Sequence, residues 1–124
     1  MLDAYLPPDS DTREKRPAVV YIHGGAFTIG DKQYPPIVEF TRMLTMRGYA
    51  VFSINYRLMG EYWRAAETYK PLGSEYDAME DLRAAIRFVR SKAEEYNLDT
   101  DKVIAAGDSA GGITSLYTAY VKKA

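Results

Sequence analysis

The run Val103-Ile104-Ala105-Ala106 leads without a spacer into Gly107-Asp108-Ser109-Ala110-Gly111, and an uncharged, proline-free stretch follows as far as Val121. A strand that ends in G-x-S-x-G and passes straight into a helix has few backbone paths open to it. The serine must stand at the tip of a very tight turn with strained dihedral angles, so that its hydroxyl projects clear of the sheet. A Cβ two residues to either side would strike the neighbouring strand or helix, which accounts for Gly107 and Gly111. The helix behind the turn directs its first N–H groups and its positive dipole end toward the serine, where an oxyanion would develop. Taken alone, the motif also fits a glycine-rich turn with no chemistry.

The rest of the chain supplies a sheet for such a turn. Leu2–Leu6, stopped by Pro7 and Pro8, reads as an edge strand. Residues 9–17 are polar and form a loop. Ala18–Ile22 and Tyr49–Tyr56 are β-branched and aromatic runs suited to strands buried on both faces. Between them Pro35 and Pro36 open a helix with apolar positions Ile37, Phe40, Met43 and Leu44, closed by Gly48 in a left-handed cap. Arg57–Gly73 contains Gly60, Pro71 and Gly73 and is expected to be an exposed loop. From Asp77 to Tyr96, Ala78, Leu82, Ala85, Ile86, Val89, Ala93 and Tyr96 recur at spacings of three and four, giving one apolar helix face. Asn97–Asp101 reads as a turn before the last strand, and Asp77, Asp81, Glu80 and Glu75 as ordinary carboxylates at a helix start. Strands alternating with helices imply an α/β fold with a mostly parallel sheet and helices on both faces, in one domain spanning 1–124. Both glycine-rich turns, 23–26 and 107–112, then fall at the carboxyl edge of the sheet, where ligands bind in such folds.

Composition removes several classes of function. A net charge of −1 with both signs dispersed offers no basic stripe for nucleic acid. No apolar run approaches a membrane span. The absence of cysteine and the single histidine exclude disulfides, thiolate metal sites and histidine-rich metal clusters. No charged, apolar and small-residue leader opens the chain, which points to the cytoplasm. Eleven tyrosines read mainly as amphipathic packing with the hydroxyl in water, and secondarily as a wall lining a substrate or partner surface. Neither G-x-G-x-x-G nor G-x-x-x-x-G-K-[ST] occurs, which weakens a nucleotide-binding reading.

A second motif adds to the first. The buried run 18–22 ends in His23-Gly24-Gly25-Ala26-Phe27, and glycine-rich backbone there presents N–H groups unobstructed by side chains, as acyl transfer through a tetrahedral intermediate requires. On LDAYLPP (2–8), YIHGGAFTIGDK (21–32), INYRL (54–58), DLRAAIRFVR (81–90) and GDSAGG (107–112), the chain resembles the hormone-sensitive-lipase-like and carboxylesterase branch of the α/β-hydrolase superfamily. The resemblance implies a partial α/β-hydrolase fold and hydrolysis of small-molecule carboxylic esters through an acyl-enzyme, without cofactor or metal. It implies Ser109 as nucleophile and the N–H groups of Gly25, Ala26 and Ala110 as oxyanion donors, with Gly24 shaping the turn. Ala26 departs from the triple-glycine form but keeps its backbone donor. Asp108 becomes an orienting or helix-capping group, equally readable as a plain carboxylate at a helix start. His23 becomes a brace for the loop rather than the general base, which in this family arrives from a later loop.

The triad order in this fold is Ser, then Asp or Glu, then His. The fifteen residues after Ser109 contain neither an acid nor a histidine. Three explanations compete: a fragment of a longer enzyme, a half-domain that folds as an oligomer, or a small enzyme using His23 in a new arrangement. The rival class of function is a non-catalytic interaction module with a degenerate hydrolase site. The expected sheet places the 18–22 strand between those at 50–56 and 103–106, leaving an apolar edge strand open to pairing with a second copy.

Overall fold

The computed structural model describes residues 2–24, 31–57 and 71–120, the side chains of 71–76 and Tyr117 excepted. Strand β1 (Leu2–Tyr5) is followed by β2 (Arg16–Ile22), helix α1 (Pro35–Met46) and β3 (Ala50–Ile54). Helix α2 (Pro71–Ser91), the short α3 (Ala93–Tyr96), β4 (Leu98–Gly107) and α4 (Ala110–Tyr120) complete the order. The four strands form one sheet in the order β1-β3-β2-β4. β2 runs parallel to both neighbours, with Ala18–Ile22 opposite Ala50–Ile54 on one side and opposite Val103–Gly107 on the other. β1 is antiparallel to β3 and lies at the edge. The 18–22 strand therefore lies between the other two parallel strands, as the family resemblance and right-handed crossovers imply.

Alternation along β2 and β3 divides the core in two. Ala18, Val20, Ile22, Ala50, Phe52 and Ile54 face Ala78, Leu82, Ala85 and Val89 of α2, with Ile86, Ala93 and Tyr96 packed against them. These are the apolar positions the helical spacing selects, and burying each large one contributes about 1.5–3 kcal/mol. Val19, Tyr21 and Val51 face α1 through Ile37, with Leu44 alongside. Helices thus cover both faces of the sheet.

Several boundaries differ from expectation. α2 begins at Pro71, six residues before the expected start at Asp77, because proline is compatible with a first helical turn, where its missing N–H is not needed. Residues 71–73 are therefore helix rather than loop; the rest of the expected loop beyond Arg57 lies outside the described residues. The helix does not run unbroken to Tyr96 but is interrupted at Lys92 (φ −101°, ψ 11°). Asn97 alone, at φ +61°, closes α3, so no longer turn is needed and the strand starts at Leu98. A register shift between Arg16 and Ala18 absorbs the polar residues 99–102. On α1, Phe40 and Met43 are 40% and 57% exposed, whereas Thr41 and Thr45 are buried. Their hydroxyls donate to the carbonyls of Val38 (2.7 Å) and Arg42 (2.8 Å), which makes them tolerable in the interior. Gly48 (φ +95°) ends α1 in a Schellman motif, with its own N–H on Thr45 O and that of Tyr49 on Leu44 O.

Candidate active site

β2 and β4 end side by side, so the two glycine-rich turns are brought together at the carboxyl edge of the sheet. Ser109 has φ +50°, in the left-handed region that costs an L residue about 1–2 kcal/mol. The surrounding fit holds it there. A Cβ on Gly107 would lie 2.5 Å from Ile22 O and 2.6 Å from the carbonyl carbon of Gly111, and one on Gly111 would overlap Ile22 O outright. The turn therefore packs backbone against backbone on the end of β2, and only residues without a Cβ fit. An ideal Cβ on Gly24 would come within 3.2 Å of Ser109 Cβ, so the first glycine of the His-Gly-Gly sequence adjoins the serine. Ser109 and Asp108 are exposed, while Ala110 is buried at the start of α4. The N–H of Ile113 donates to Ser109 O at 3.0 Å as that helix begins.

Side chains tie the two turns across the sheet. The Tyr21 hydroxyl donates to Asp108 Oδ1 at 2.7 Å, and the Gly24 N–H donates to the same oxygen at 3.2 Å. Asp108 thus orients the elbow against β2, and the cap on its own helix comes from its backbone carbonyl, which accepts from Gly111 N–H at 2.9 Å. Because the Gly24 N–H is committed to Asp108, it is not free to meet an oxyanion. His23 is 2% exposed. Its Nδ1 lies 2.7 Å from Gly24 O, and since a carbonyl can only accept, Nδ1 carries the proton. The His23 ring packs on Tyr56, centroids 4.5 Å apart, and the Tyr56 hydroxyl donates to His23 O at 2.9 Å.

Tyr21 and Tyr56 are the site residues that sequence reasoning missed. Read as packing residues with hydroxyls in water, they are instead buried, and both hydroxyls are bonded within the site. Burial pushes the Tyr56 phenol up to about 12, helped by the nearby Asp108 charge. Burial, then the hydrogen bond to Asp108, also raises Tyr21 well above the ordinary tyrosine value. The available signal was positional: Tyr21 stands two residues before His23, and Tyr56 ends the run that flanks it.

Asp81 also departs from its reading as a carboxylate at a helix start. It lies well inside α2 and holds Arg57, accepting from its backbone N–H at 2.8 Å and from Nε at 3.1 Å; Asp77 Oδ1 lies 3.5 Å from Nη1 of the same arginine. Gly25 and Ala26, the donors expected from sequence, lie outside the described residues. Among the described residues no group of three or more His, Asp or Glu is placed to hold a metal ion, and no helix is long and apolar enough to cross a membrane.

The BD-FAE family model matches residues 2–124. The chain is 33% identical over 114 residues to Esterase LipI of Mycobacterium tuberculosis, covering 87% of this chain and 30% of that protein. It is 33% identical over 119 residues to Carboxylesterase NlhH of Mycobacterium tuberculosis, covering 96% of this chain and 33% of that protein. Among solved structures, Thermogutta terrifontis esterase 2 phosphorylated by paraoxon is similar with a TM-score of 0.74 at 27% identity, covering 94% of this chain and 40% of that one. The chain spans about a third of the length of these curated relatives.

Proposed function

The chain belongs to the BD-FAE family, and on that premise we propose that it is the nucleophile-bearing part of a serine carboxylic-ester hydrolase acting on small-molecule esters. The observation that carries this reading is Ser109 at φ +50°, at the tip of a strand-to-helix turn whose flanking glycines are demanded by backbone contact. In the proposed reaction Ser109 Oγ attacks the ester carbonyl carbon as its proton passes to a base. The negative charge that develops on the carbonyl oxygen meets the N–H groups of Gly25, Ala26 and Ala110. The alcohol leaves with the proton, and water cleaves the acyl-enzyme by the same route in reverse. Commitment of the Gly24 N–H to Asp108 supports placing the donors one residue later. Burial of His23 between Tyr56 and its own loop supports a brace rather than a base. No other histidine exists in these 124 residues, so the base and its acid are to be sought in a longer product.

Intact-mass analysis after incubation with paraoxon tests the reading. Phosphorylation that vanishes in Ser109→Ala supports it, and failure of the full gene product to take the label at Ser109 overturns it. Without a base, turnover of a short-chain aryl ester by the 124-residue chain is expected to fall by on the order of 10⁶ from that of a complete triad. The oxyanion donors and binding would retain about 10³–10⁴ over water. Turnover at the level of complete esterases, lost in both Ser109→Ala and a folded His23→Ala, would instead make His23 the base.

The same reading extends to association. β4 ends the sheet among the described residues. Beside it Ile104, Ile113, Leu116 and Tyr120 are exposed, the last two at 62% and 82%. An apolar edge of this kind is a template for strand pairing, and we infer that the isolated chain associates with itself. A clean monomer in light scattering at high concentration would refute this.

A further inference from the structure

Around the nucleophile the sequence supplies one charge. Residues 24–30 and 107–120 take in both glycine-rich sequences and α4, and Asp108 is their single acidic or basic residue. It is exposed and stands directly before Ser109. The position of an ideal Cβ on Gly24 is 2.5 Å from Asp108 Oδ2 and 3.2 Å from Ser109 Cβ, so carboxylate and nucleophile share one small volume. The carboxylate is held there, because its Oδ1 accepts from the Tyr21 hydroxyl at 2.7 Å and from the Gly24 N–H at 3.2 Å. Tyr21 is fixed in turn, 8% exposed with its ring centroid 5.6 Å from that of Phe40. Both donors are neutral.

The cations that follow β2 and β3 do not cancel this charge, since both are committed elsewhere. Lys32 is 5% exposed, with Nζ donating to Asp3 Oδ2 at 2.7 Å and its carbonyl accepting from Ser53 Oγ at 3.2 Å. Arg57 is held by Asp81 and Asp77. The positive end of the α4 dipole amounts to about half a charge, which leaves the carboxylate the larger of the two. Its field reaches the phenols of Tyr21 and Tyr56, which burial raises first and Asp108 raises further. We propose that Asp108 is a specificity-determining residue, selecting neutral and cationic esters over those with a negative charge close to the scissile carbonyl. An anionic group bound there meets a fixed like charge, whereas a cationic group meets its counter-charge. This consequence rests on the esterase reading above; the placement of the charge does not.

The test uses the full gene product and three aryl acetates bearing a carboxylate, a methyl or a trimethylammonium group at the same ring position. A unit charge on the substrate at roughly 6 Å from the carboxylate is worth about threefold in a water-like dielectric. The ratio of kcat/KM for the cationic over the anionic acetate should therefore fall about tenfold in Asp108→Asn. Asparagine keeps an oxygen to accept from Tyr21 and Gly24, and a ratio of two substrates cancels any change in the chemistry common to both. The wild-type ratio should also fall at about 1 M salt, where charges are screened over about 3 Å. A ratio unmoved by Asp108→Asn, or by salt should that variant fail to fold, overturns the proposal. A second measurement involves no reaction: relaxation of the Asp108–Gly112 amide protons by a cationic nitroxide and by an anionic one of the same size. The cationic probe should relax them more strongly, and the excess should shrink in Asp108→Asn; equal relaxation in wild type overturns the proposal. Should none of the acetates be turned over, the esterase reading fails, and the nitroxide comparison still decides whether the site repels anions.

Discussion

The elbow at 107–111 and the end of β2 at 21–24 lie against each other, yet they are held by different forces. The elbow is held by shape: Gly107 and Gly111 press their backbones onto Ile22 and His23, where a single methyl finds no room. The end of β2 is held by donors and acceptors: Tyr21 and Gly24 on Asp108, Tyr56 on His23, and His23 on Gly24. A shape-fitted turn tolerates no added atom but loses little when a polar group is trimmed. A bonded turn tolerates changes in volume but not the loss of a partner, because a buried acceptor left without a donor costs about 1–3 kcal/mol.

The largest effect should come from adding an atom to the elbow. Gly111→Ala places a methyl on the carbonyl of Ile22, and we expect a loss of more than about 4 kcal/mol or failure to fold, read from urea unfolding. A loss below about 1 kcal/mol would mean that the elbow yields and is not shape-fitted. Next comes removal of an atom from the bonded turn. Tyr56→Phe leaves His23 O without its hydroxyl donor and should cost about 1–3 kcal/mol, with the sheet retained by circular dichroism.

Tyr56 also predicts a pH dependence. Its phenol stands near 12 in the folded chain against about 10 in the unfolded one, so the fold favours the protonated form. This contribution to stability is complete below about pH 10 and is lost as pH rises through about 12. Wild type should lose stability over that range more steeply than Tyr56→Phe; parallel curves would remove Tyr56 from the account. The smallest effect should be a gain. Ser109→Gly relieves a positive φ and should stabilise the chain by about 0.5 kcal/mol after the added chain entropy of glycine is counted. A loss instead would mean that the serine side chain contributes to holding its own turn.

The same contrast decides what was legible in the sequence. Ala18–Ile22, Val103–Ala106 and the α2 face from Ala78 to Val89 announce themselves because burial repeats with the period of the element. Gly107 and Gly111 are legible because a shape-fitted turn restricts residue type at fixed offsets. Tyr21 and Tyr56 are not, because their partners lie 87 and 33 residues away and periodicity reports which side is buried, not which hydroxyl meets which acceptor. The Lys32 cluster is hidden for the same reason: Asp3, Lys32 and Ser53 are unremarkable residues until β1 pairs with β3. Boundaries at Pro71 and Leu98 were displaced because breakers such as proline and asparagine act differently at the first and last position of a helix than inside one.

The register of the sheet carries a consequence in time. β2 is the second strand in the chain, but its neighbours come later: Ala50 pairs with Ala18 across 32 residues, and Val103 pairs with it across 85. Closing such spans costs chain entropy before any contact repays it, and topologies built this way fold slowly. β1, β2 and β3 can gather early, but Tyr21 and Gly24 have no acceptor until the last strand is laid down beside them. Ser109 acquires its strained angle in that same step, as Gly111 closes on Ile22. The two halves of the site therefore depend on one strand: without β4 beside β2, Asp108 is not in place to accept from Tyr21 and Gly24, and Gly111 has no Ile22 to close on.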